Sequence, residues 1–133
     1  MENSKIILDS CAYSAFLRGH GKVKSVMQIS DEIFINSIII GELLSGFALG
    51  NREERNRDIL LKFLKSPRVK TVAVNNETSE RYAVIINYLR KNGTPIPTND
   101  IWIAASAMEY GLKVVTAGKH YLNVPHIITE FYD

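Results

Sequence analysis

Residues 5–17 read KIILDSCAYSAFL, and this stretch decides the fold class. The aliphatic run at 5–8 predicts a buried strand, and residues 11–17 predict a helix that follows it almost at once. Asp9 and Ser10 stand at the junction, where either side chain can cap the helix or serve a functional site. A strand that leads straight into a helix indicates one unit of an α/β fold.

The same alternation of short aliphatic strands and helices continues along the chain. Further strands are predicted at 32–36, at 69–74, around Val114 and Val115, and around Ile127 and Ile128. Helices are predicted at about 23–28, from an N-cap at Ser37, from a capping-box-like pair of Asn51 and Glu54 up to Pro67, at 77–91, and over IWIAASAMEYG, which ends at Gly111. This pattern predicts a three-layer α/β/α fold around a mainly parallel sheet of four to five strands.

Composition narrows the class of protein. The chain has 133 residues, of which 46% are hydrophobic and 23% charged, and these values are ordinary for one globular domain. A single cysteine excludes an internal disulfide, so we expect a cytoplasmic protein. The N-terminal residues MENSKIILDS match neither a signal peptide nor a membrane anchor. The net charge of +2 does not by itself indicate nucleic-acid binding, although residues 18–24 and 51–70 are locally basic.

Three acidic residues occupy special positions. Asp9 follows the first strand, Glu42 lies inside the apolar segment IIIGELLSGFAL, and Asp100 stands at the start of the apolar helix before the fourth strand. Each has a simple explanation, because Asp9 and Asp100 suit helix N-caps and Glu42 can face solvent. In a doubly wound sheet, however, the corresponding helices begin at the same edge. We therefore expect the three carboxylates to meet there.

A cluster of three carboxylates predicts a divalent cation. Such groups repel one another and raise one another's pKa values unless a cation neutralises them. Oxygen ligands without nearby cysteine or clustered histidine suit Mg²⁺ or Mn²⁺. A water activated by such an ion can attack a phosphodiester. The residues themselves therefore predict metal-assisted hydrolysis of RNA or DNA, with Asp9, Glu42 and Asp100 as metal-binding and catalytic residues.

Several longer segments resemble a known family. The strings IILDSCAYSAFLRG, INSIIIGELLSGFALG and RYAVIINYLRKNGTPIPTNDIWIAASAMEYGLKVVTAGKHY, with the closing VPHI, resemble the PIN domain and, more narrowly, the VapC-type toxins of toxin–antitoxin pairs. The resemblance runs over nearly the whole chain. It implies a PIN-like fold, a single PIN domain over residues 1–133, and an endoribonuclease that requires Mg²⁺ or Mn²⁺ and cleaves RNA.

The resemblance also implies partners and site residues. The partners are a cognate antitoxin, bound across the helix of Glu42 and the next helix, and a second copy of the chain in a homodimer. The candidate residues of the antitoxin surface are Leu43, Phe47, Leu60 and Phe63. The family's clustered acids match Asp9, Glu42 and Asp100, and the supporting residues are Ser10, Asn99 and Thr116.

The chain departs from the family just after Thr116. Members commonly carry a fourth acid or an asparagine two residues later, where this chain has Gly118. The lost carboxylate is expected to weaken a second metal site, and His120 is the candidate substitute as a ligand or proton carrier. Cys11, where the family often has asparagine, is expected to be packed and not nucleophilic. The alternative function is a degenerate PIN domain that binds RNA or a protein without efficient cleavage.

Overall fold

The structure is a computed structural model that describes residues 4–133. Residues 1–3, part of the N-terminal segment considered above, lie outside that range. The strands are β1 (Lys5–Leu8), β2 (Glu32–Asn36), β3 (Val69–Val72), β4 (Lys113–Thr116) and β5 (Ile128–Phe131). The helices are α1 (Ser10–Leu17), α2 (Gly21–Ile29), α3 (Ser37–Leu49), α4 (Glu53–Leu64), α5 (Asn76–Lys91) and α6 (Thr98–Tyr110), and a 3-10 helix spans Lys119–Asn123.

The five strands form one parallel sheet in the order β3-β2-β1-β4-β5. Ile7 of β1 pairs with Phe34 of β2 on one side and with Val114 of β4 on the other. The chain runs outward from β1 to β3 and then returns to β4, so the direction of strand order reverses between β1 and β4. Ligand clefts form at such a switch point, beyond the carboxyl ends of the strands. Asp9 and Thr116 stand at this point.

Helices cover both faces of the sheet. Parallel strands are joined by right-handed crossovers. The connections from β1 to β3, which contain α1 to α4, and the returning connection with α5 and α6 therefore lie on opposite faces. The predicted three-layer α/β/α architecture with a mainly parallel sheet is confirmed.

The central strands are buried on both faces, which explains their continuous aliphatic sequence. Ile6, Ile7 and Leu8 of β1 are fully buried, and so are Val114 and Val115 of β4. Each such side chain contributes about 1.5–3 kcal/mol when it leaves water. Within residues 4–133, no helix has the length and apolar character needed to cross a membrane.

Asn36, and not the predicted Ser37, is the N-cap of α3. Its Oδ1 accepts a hydrogen bond from the Ile39 N–H at 2.9 Å, and its Nδ2 donates to the Ser106 hydroxyl of α6, also at 2.9 Å. Asn36 is fully buried, so both of its polar ends need these partners. One side chain therefore fixes the start of α3 and ties it to α6.

The predicted capping-box pair of Asn51 and Glu54 is wrong. The N-cap of α4 is Arg52, which makes no side-chain capping bond. A capping box does occur at α5, where Asn75 and Thr78 satisfy each other's backbone N–H groups. The three-residue spacing of a capping box therefore predicts one only where the backbone places both side chains in the first turn of a helix.

Candidate active site

Asp9 is a buried carboxylate at the carboxyl edge of the sheet, with 8% of its surface exposed. Its Oδ1 accepts a hydrogen bond from the Ala12 N–H at 2.8 Å and so caps α1. Its Oδ2 accepts one from the Thr116 hydroxyl at 2.5 Å. The capping role and a functional role are therefore compatible, because the two oxygens have different partners.

Thr116 connects Asp9 to the loop that follows β4. Its hydroxyl donates to Asp9 and accepts a hydrogen bond from the Gly118 N–H at 2.8 Å. A Cβ added at Gly118 would lie 3.2 Å from the Thr116 hydroxyl oxygen, which is a tight contact. At the place of the family's fourth acid, this loop therefore contributes a backbone N–H that holds Thr116 in position.

Glu42 and Asp100 reach the same edge from α3 and α6. Asn99 donates from its Nδ2 to Oε2 of Glu42 at 3.2 Å, so the two helices are joined at the rim. Asp100 lies in the first turn of α6, whose N-cap is Pro97 and has no side-chain capping bond. The capping explanation for Asp100 therefore does not hold.

His120 approaches Asp100 from the 3-10 helix. Its Nδ1 lies 3.1 Å from Oδ2 of Asp100. The His120 side chain is 55% exposed and that of Asp100 is 22% exposed. His120 thus covers Asp100 from the solvent side, and the contact is an ion pair only when the imidazole is protonated. The candidate substitute for the fourth acid lies against the third acid.

The negative charges of Asp100 and Glu42 act on Asp9. Burial raises the pKa of Asp9 above its usual value, the hydrogen bonds from Thr116 and Ala12 oppose that rise, and the negative charges of Asp100 and Glu42 raise the pKa further. This is the behaviour expected of acids that share one neighbourhood. It also means that a cation at this edge would stabilise the ionised form of Asp9.

The carboxylate oxygens at this edge fit a hydrated hard cation better than an ion that all three carboxylates bind directly. Among residues 4–133, no group of three or more His, Cys, Asp or Glu side chains is close enough to hold one ion together. Mg²⁺ usually keeps several waters and takes only one or two carboxylates as direct ligands. Asp9, Glu42 and Asp100 are the carboxylates at this edge that could hold such a hydrated ion.

A cleft of about 650 Å³ opens beside Glu42. Its lining includes Ser10, Arg18, Glu42 and Tyr132. A second cleft, of about 630 Å³, is lined by Ser10, Glu42 and Asn99 among others. Ser10 and Glu42 line both clefts, so Glu42 is the acid that both clefts share.

Cys11 also lines the larger cleft. It is exposed, so the prediction that it is a packed side chain is wrong. Partial burial and the negative charges of Asp9, Glu42 and Asp100 raise the pKa of its thiol. A thiol that stays protonated is a poor nucleophile, in agreement with the expectation that Cys11 has no such role.

Two tyrosines that the sequence pattern does not single out lie at the site. Tyr121 is 2% exposed, and burial together with the charges of Asp100 and Asp9 raises its pKa far above the usual value. Tyr132 lines the larger cleft, and burial together with the charge of Asp9 raises its pKa to about 12. Neither position has a local sequence signal, because that of Tyr121 depends on where the 3-10 helix packs and that of Tyr132 depends on β5.

An apolar groove of about 280 Å³ lies between α3 and α4. Its lining consists of Ile40, Leu44, Glu54, Arg57, Asp58, Leu60, Leu61 and Leu64. Of the candidates for a partner surface, Leu43 is only 4% exposed and belongs to the core, and Phe63 packs against Tyr13 with ring centroids 5.2 Å apart. Leu61, which is 55% exposed, is the accessible apolar residue of this groove.

Comparison with known proteins places these features in a family. Residues 6–127 match the model of the PIN domain. Ribonuclease VapC of Rickettsia bellii is 28% identical over 125 residues, which is 92% of each chain. Ribonuclease VapC4 of Mycobacterium tuberculosis is 26% identical over 93 residues, or 70% of this chain and 72% of the relative.

A solved structure agrees with the fold. The toxin–antitoxin complex VapBC2 from Rickettsia felis, bound to a DNA fragment from its promoter, contains a chain similar to this one with a TM-score of 0.86 at 23% identity. The match covers 97% of this chain and 99% of that chain. At 23% identity, the similarity to this structure shows a shared fold. The family itself is shown by the PIN domain model, which matches residues 6–127. The resemblance drawn from the sequence is confirmed, and this chain belongs to the PIN domain family.

Proposed function

We propose that this protein is a divalent-metal-dependent endoribonuclease that acts in the cytoplasm as the toxin of a toxin–antitoxin pair. Its membership in the PIN domain family and its similarity to relatives named Ribonuclease VapC support this function. The observation that carries the proposal is the match of residues 6–127 to the PIN domain model, together with the buried Asp9 held by Thr116 at the switch point of the sheet.

In this proposal the acids bind the ion and their neighbours hold the acids. Thr116 orients Asp9, and Asn99 orients Glu42. The ion is Mg²⁺ or Mn²⁺, because the available donors are oxygens. A bound ion of this kind makes a water more acidic and stabilises negative charge on the phosphoryl oxygens. Ser10 contributes a hydroxyl at the wall of both clefts.

The RNA backbone needs a positive side chain near the acids, because the carboxylates repel phosphate. Arg18 lines the larger cleft together with Glu42 and is the proposed phosphate contact. Arg68, in the other basic stretch, has a different role. Its guanidinium donates to the carbonyls of Ser30 at 2.8 Å and Met27 at 3.1 Å, and thus supports the fold.

The α3–α4 groove is the proposed antitoxin site. Similar solved chains come from VapBC complexes, such as VapBC-1 from nontypeable Haemophilus influenzae. The groove has an apolar wall and charged side chains, Glu54, Arg57 and Asp58, which suits an amphipathic peptide. Leu61→Asp is expected to prevent complex formation with the antitoxin. Ile29→Asp, at a residue that is 78% exposed on α2, is the control and should bind normally. Association of two copies is a further part of the proposal.

One assay tests the enzymatic function. Purified protein is incubated with structured RNA and Mg²⁺ or Mn²⁺, beside an Asp9→Asn variant and a sample with EDTA. Cleavage by the wild type alone, in the presence of the ion, is the expected result. Cleavage that persists in EDTA or in the variant would contradict the metal mechanism.

Gly118 supports one alternative function. Because this position provides no carboxylate, a degenerate PIN domain that binds RNA or a protein without cutting is the second candidate. The same samples separate the two functions. RNA binding measured by filter retention, without cleavage at any concentration of either ion, would favour the degenerate domain.

A further inference from the structure

The larger cleft, of about 650 Å³, has a glycine in its wall that packing does not require. Gly46 lies inside α3 and lines this cleft. Glycine within a helix lowers stability relative to alanine. A Cβ added at Gly46 would meet nothing within 4 Å, so no neighbour excludes a side chain there. The space beside Gly46 is therefore open to a ligand.

One wall of the larger cleft is a polar stripe along α1. Ser10, Ser14 and Arg18 line it at intervals of four residues, which places them on one side of the helix. At about 1.5 Å of rise per residue, Arg18 stands roughly 12 Å along the helix axis from Ser10. Arg18 is exposed, and among residues 4–133 it makes no ion pair. The Arg18 end of the cleft therefore suits an anionic group.

An aromatic ring, that of Tyr132, lines the same cleft. It meets the His20 ring in an edge-to-face contact with centroids 5.0 Å apart. His20 follows Arg18 by two residues, so the tyrosine ring stands at the Arg18 end. An edge-to-face contact covers at most one face of a ring. The half-buried Tyr132 therefore presents aromatic surface to the cleft.

The backbone on both sides of Tyr132 is held in place. Nζ of Lys22 donates to the Phe131 carbonyl at 2.7 Å, and Nε2 of His20 lies 2.6 Å from the Asp133 carbonyl oxygen. Because these contacts fix the segment before a ligand arrives, a group that packs on the ring loses less of its binding energy to ordering the protein.

These features match one nucleotide of an unpaired RNA strand. Unpaired bases stack on aromatic side chains, and arginine binds phosphate. We propose that Tyr132 and Arg18 form a nucleotide subsite in the larger cleft: an unpaired base stacks on the Tyr132 ring, and an adjacent phosphate binds the Arg18 guanidinium. The inference rests on the proposed function for RNA as the ligand, but it involves neither the metal ion nor the cleavage step.

The stacking contact is tested by comparing unpaired with paired RNA. Fluorescence anisotropy in EDTA measures the binding of a fluorescein-labelled single-stranded RNA, and of the same strand annealed to its complement. Tyr132→Leu should bind the single strand about 5–150-fold more weakly, the range for one lost stacking contact, and the duplex as the wild type does. Tyr132→Phe keeps the ring and should bind both like the wild type. Equal weakening of both RNA forms by Tyr132→Leu would show a merely structural role and overturn the stacking contact.

The phosphate contact is tested by its salt dependence. Loss of one phosphate contact in Arg18→Gln should reduce the slope of log Kd against log salt concentration by about 0.7 for the single strand. Lys24→Gln is the matched control, because Lys24 is an exposed residue of α2 that carries the same charge and lines neither cleft. Its slope should equal that of the wild type. Equal slopes for the two variants would overturn the Arg18 contact.

Gly46→Leu tests the cleft without changing Tyr132 or Arg18. A helix favours leucine over glycine, and the added side chain has room, so urea unfolding should show a variant at least as stable as the wild type. The leucine should occupy the cleft and weaken single-strand binding at least as much as Tyr132→Leu does. Unchanged affinity of Gly46→Leu would overturn the subsite, even if Tyr132→Leu failed to fold.

The result can be separated from that of the proposed function. If the wild type binds the single strand in the expected pattern but cuts no RNA with Mg²⁺ or Mn²⁺, the ribonuclease proposal fails and the subsite stands. If the wild type cuts RNA, while Tyr132→Leu and Gly46→Leu bind the single strand normally, the ribonuclease proposal stands and the subsite is wrong. A wild type that binds no RNA in EDTA would also overturn the subsite.

Discussion

Replacing Thr116 with valine removes the hydroxyl between Asp9 and the loop after β4 while keeping a side chain of similar size. The hydroxyl oxygen lies 2.5 Å from Oδ2 of Asp9, a distance typical of hydrogen bonds to charged groups. Such bonds contribute about 1.5–3 kcal/mol. The Gly118 N–H, at 2.8 Å from the same oxygen, also loses its acceptor.

The sign of the pH effect follows from the direction of the hydrogen bond. The Thr116 hydroxyl donates to the ionised carboxylate and therefore lowers the pKa of Asp9, against the effect of burial. Without it the pKa of Asp9 rises further, so a smaller fraction of Asp9 is ionised at a given acidic pH. Because protons compete with the metal, the acidic limb of the activity profile should move to higher pH in Thr116→Val.

The free energy of the Thr116–Asp9 hydrogen bond sets the expected loss of metal affinity. A loss of about 1.5–3 kcal/mol in the support of the ionised carboxylate corresponds to roughly 10–100-fold in metal affinity at a pH where Asp9 titrates. Cleavage rates at limiting Mn²⁺ are measured across acidic to neutral pH for the wild type, Thr116→Val and Thr116→Ser. The serine variant keeps the hydroxyl and should behave like the wild type. A Thr116→Val profile that coincides with the wild-type profile would refute the role assigned to this bond.

Three further predictions concern stability. Asp9→Asn should be more stable than the wild type in EDTA at neutral pH. The folded-state pKa of Asp9 is raised, so the wild type loses stability as the pH rises through that value, and the variant does not. Urea unfolding should show that the advantage of the variant disappears at acidic pH. Asn36→Ala should lose about 2–4 kcal/mol, from a lost cap and an unpaired buried partner, and a cycle with Ser106→Ala should show coupling and not additivity. Gly111→Ala should lose about 1 kcal/mol in chemical denaturation without any change in metal affinity, because φ is 68° there and an added Cβ meets nothing within 4 Å.

The fold follows from the sequence because its signals are local. The strands at Lys5–Leu8 and Glu32–Asn36 have the predicted bounds, since short aliphatic runs ended by polar residues define buried parallel strands. Helix starts were less well predicted. Ser37 and Asn36 are both good N-caps, and the choice between them depends on the buried Ser106 of α6, which is 70 residues away.

The site could be predicted only in part for the same reason. The acids were recognisable because Asp9 follows a strand, Glu42 interrupts an apolar helix and Asp100 stands at the start of one. The family resemblance named Thr116 and Asn99 as supporting residues. It did not show which acid each one contacts, since Thr116 reaches Asp9 across 107 residues and Asn99 reaches Glu42 across 57 residues.

The sequence by itself determined the α/β class, the parallel sheet and the three acids, because periodicity and strand-ending residues act over a few positions. Only the tertiary structure decided that β1 and β4 are neighbours, that Asp9 accepts a hydrogen bond from Thr116, and that Asn99 donates one to Glu42. The physical reason is that strand order is set by the packing of whole elements. Electrostatic coupling depends on distances of a few ångströms between residues that the chain itself keeps far apart.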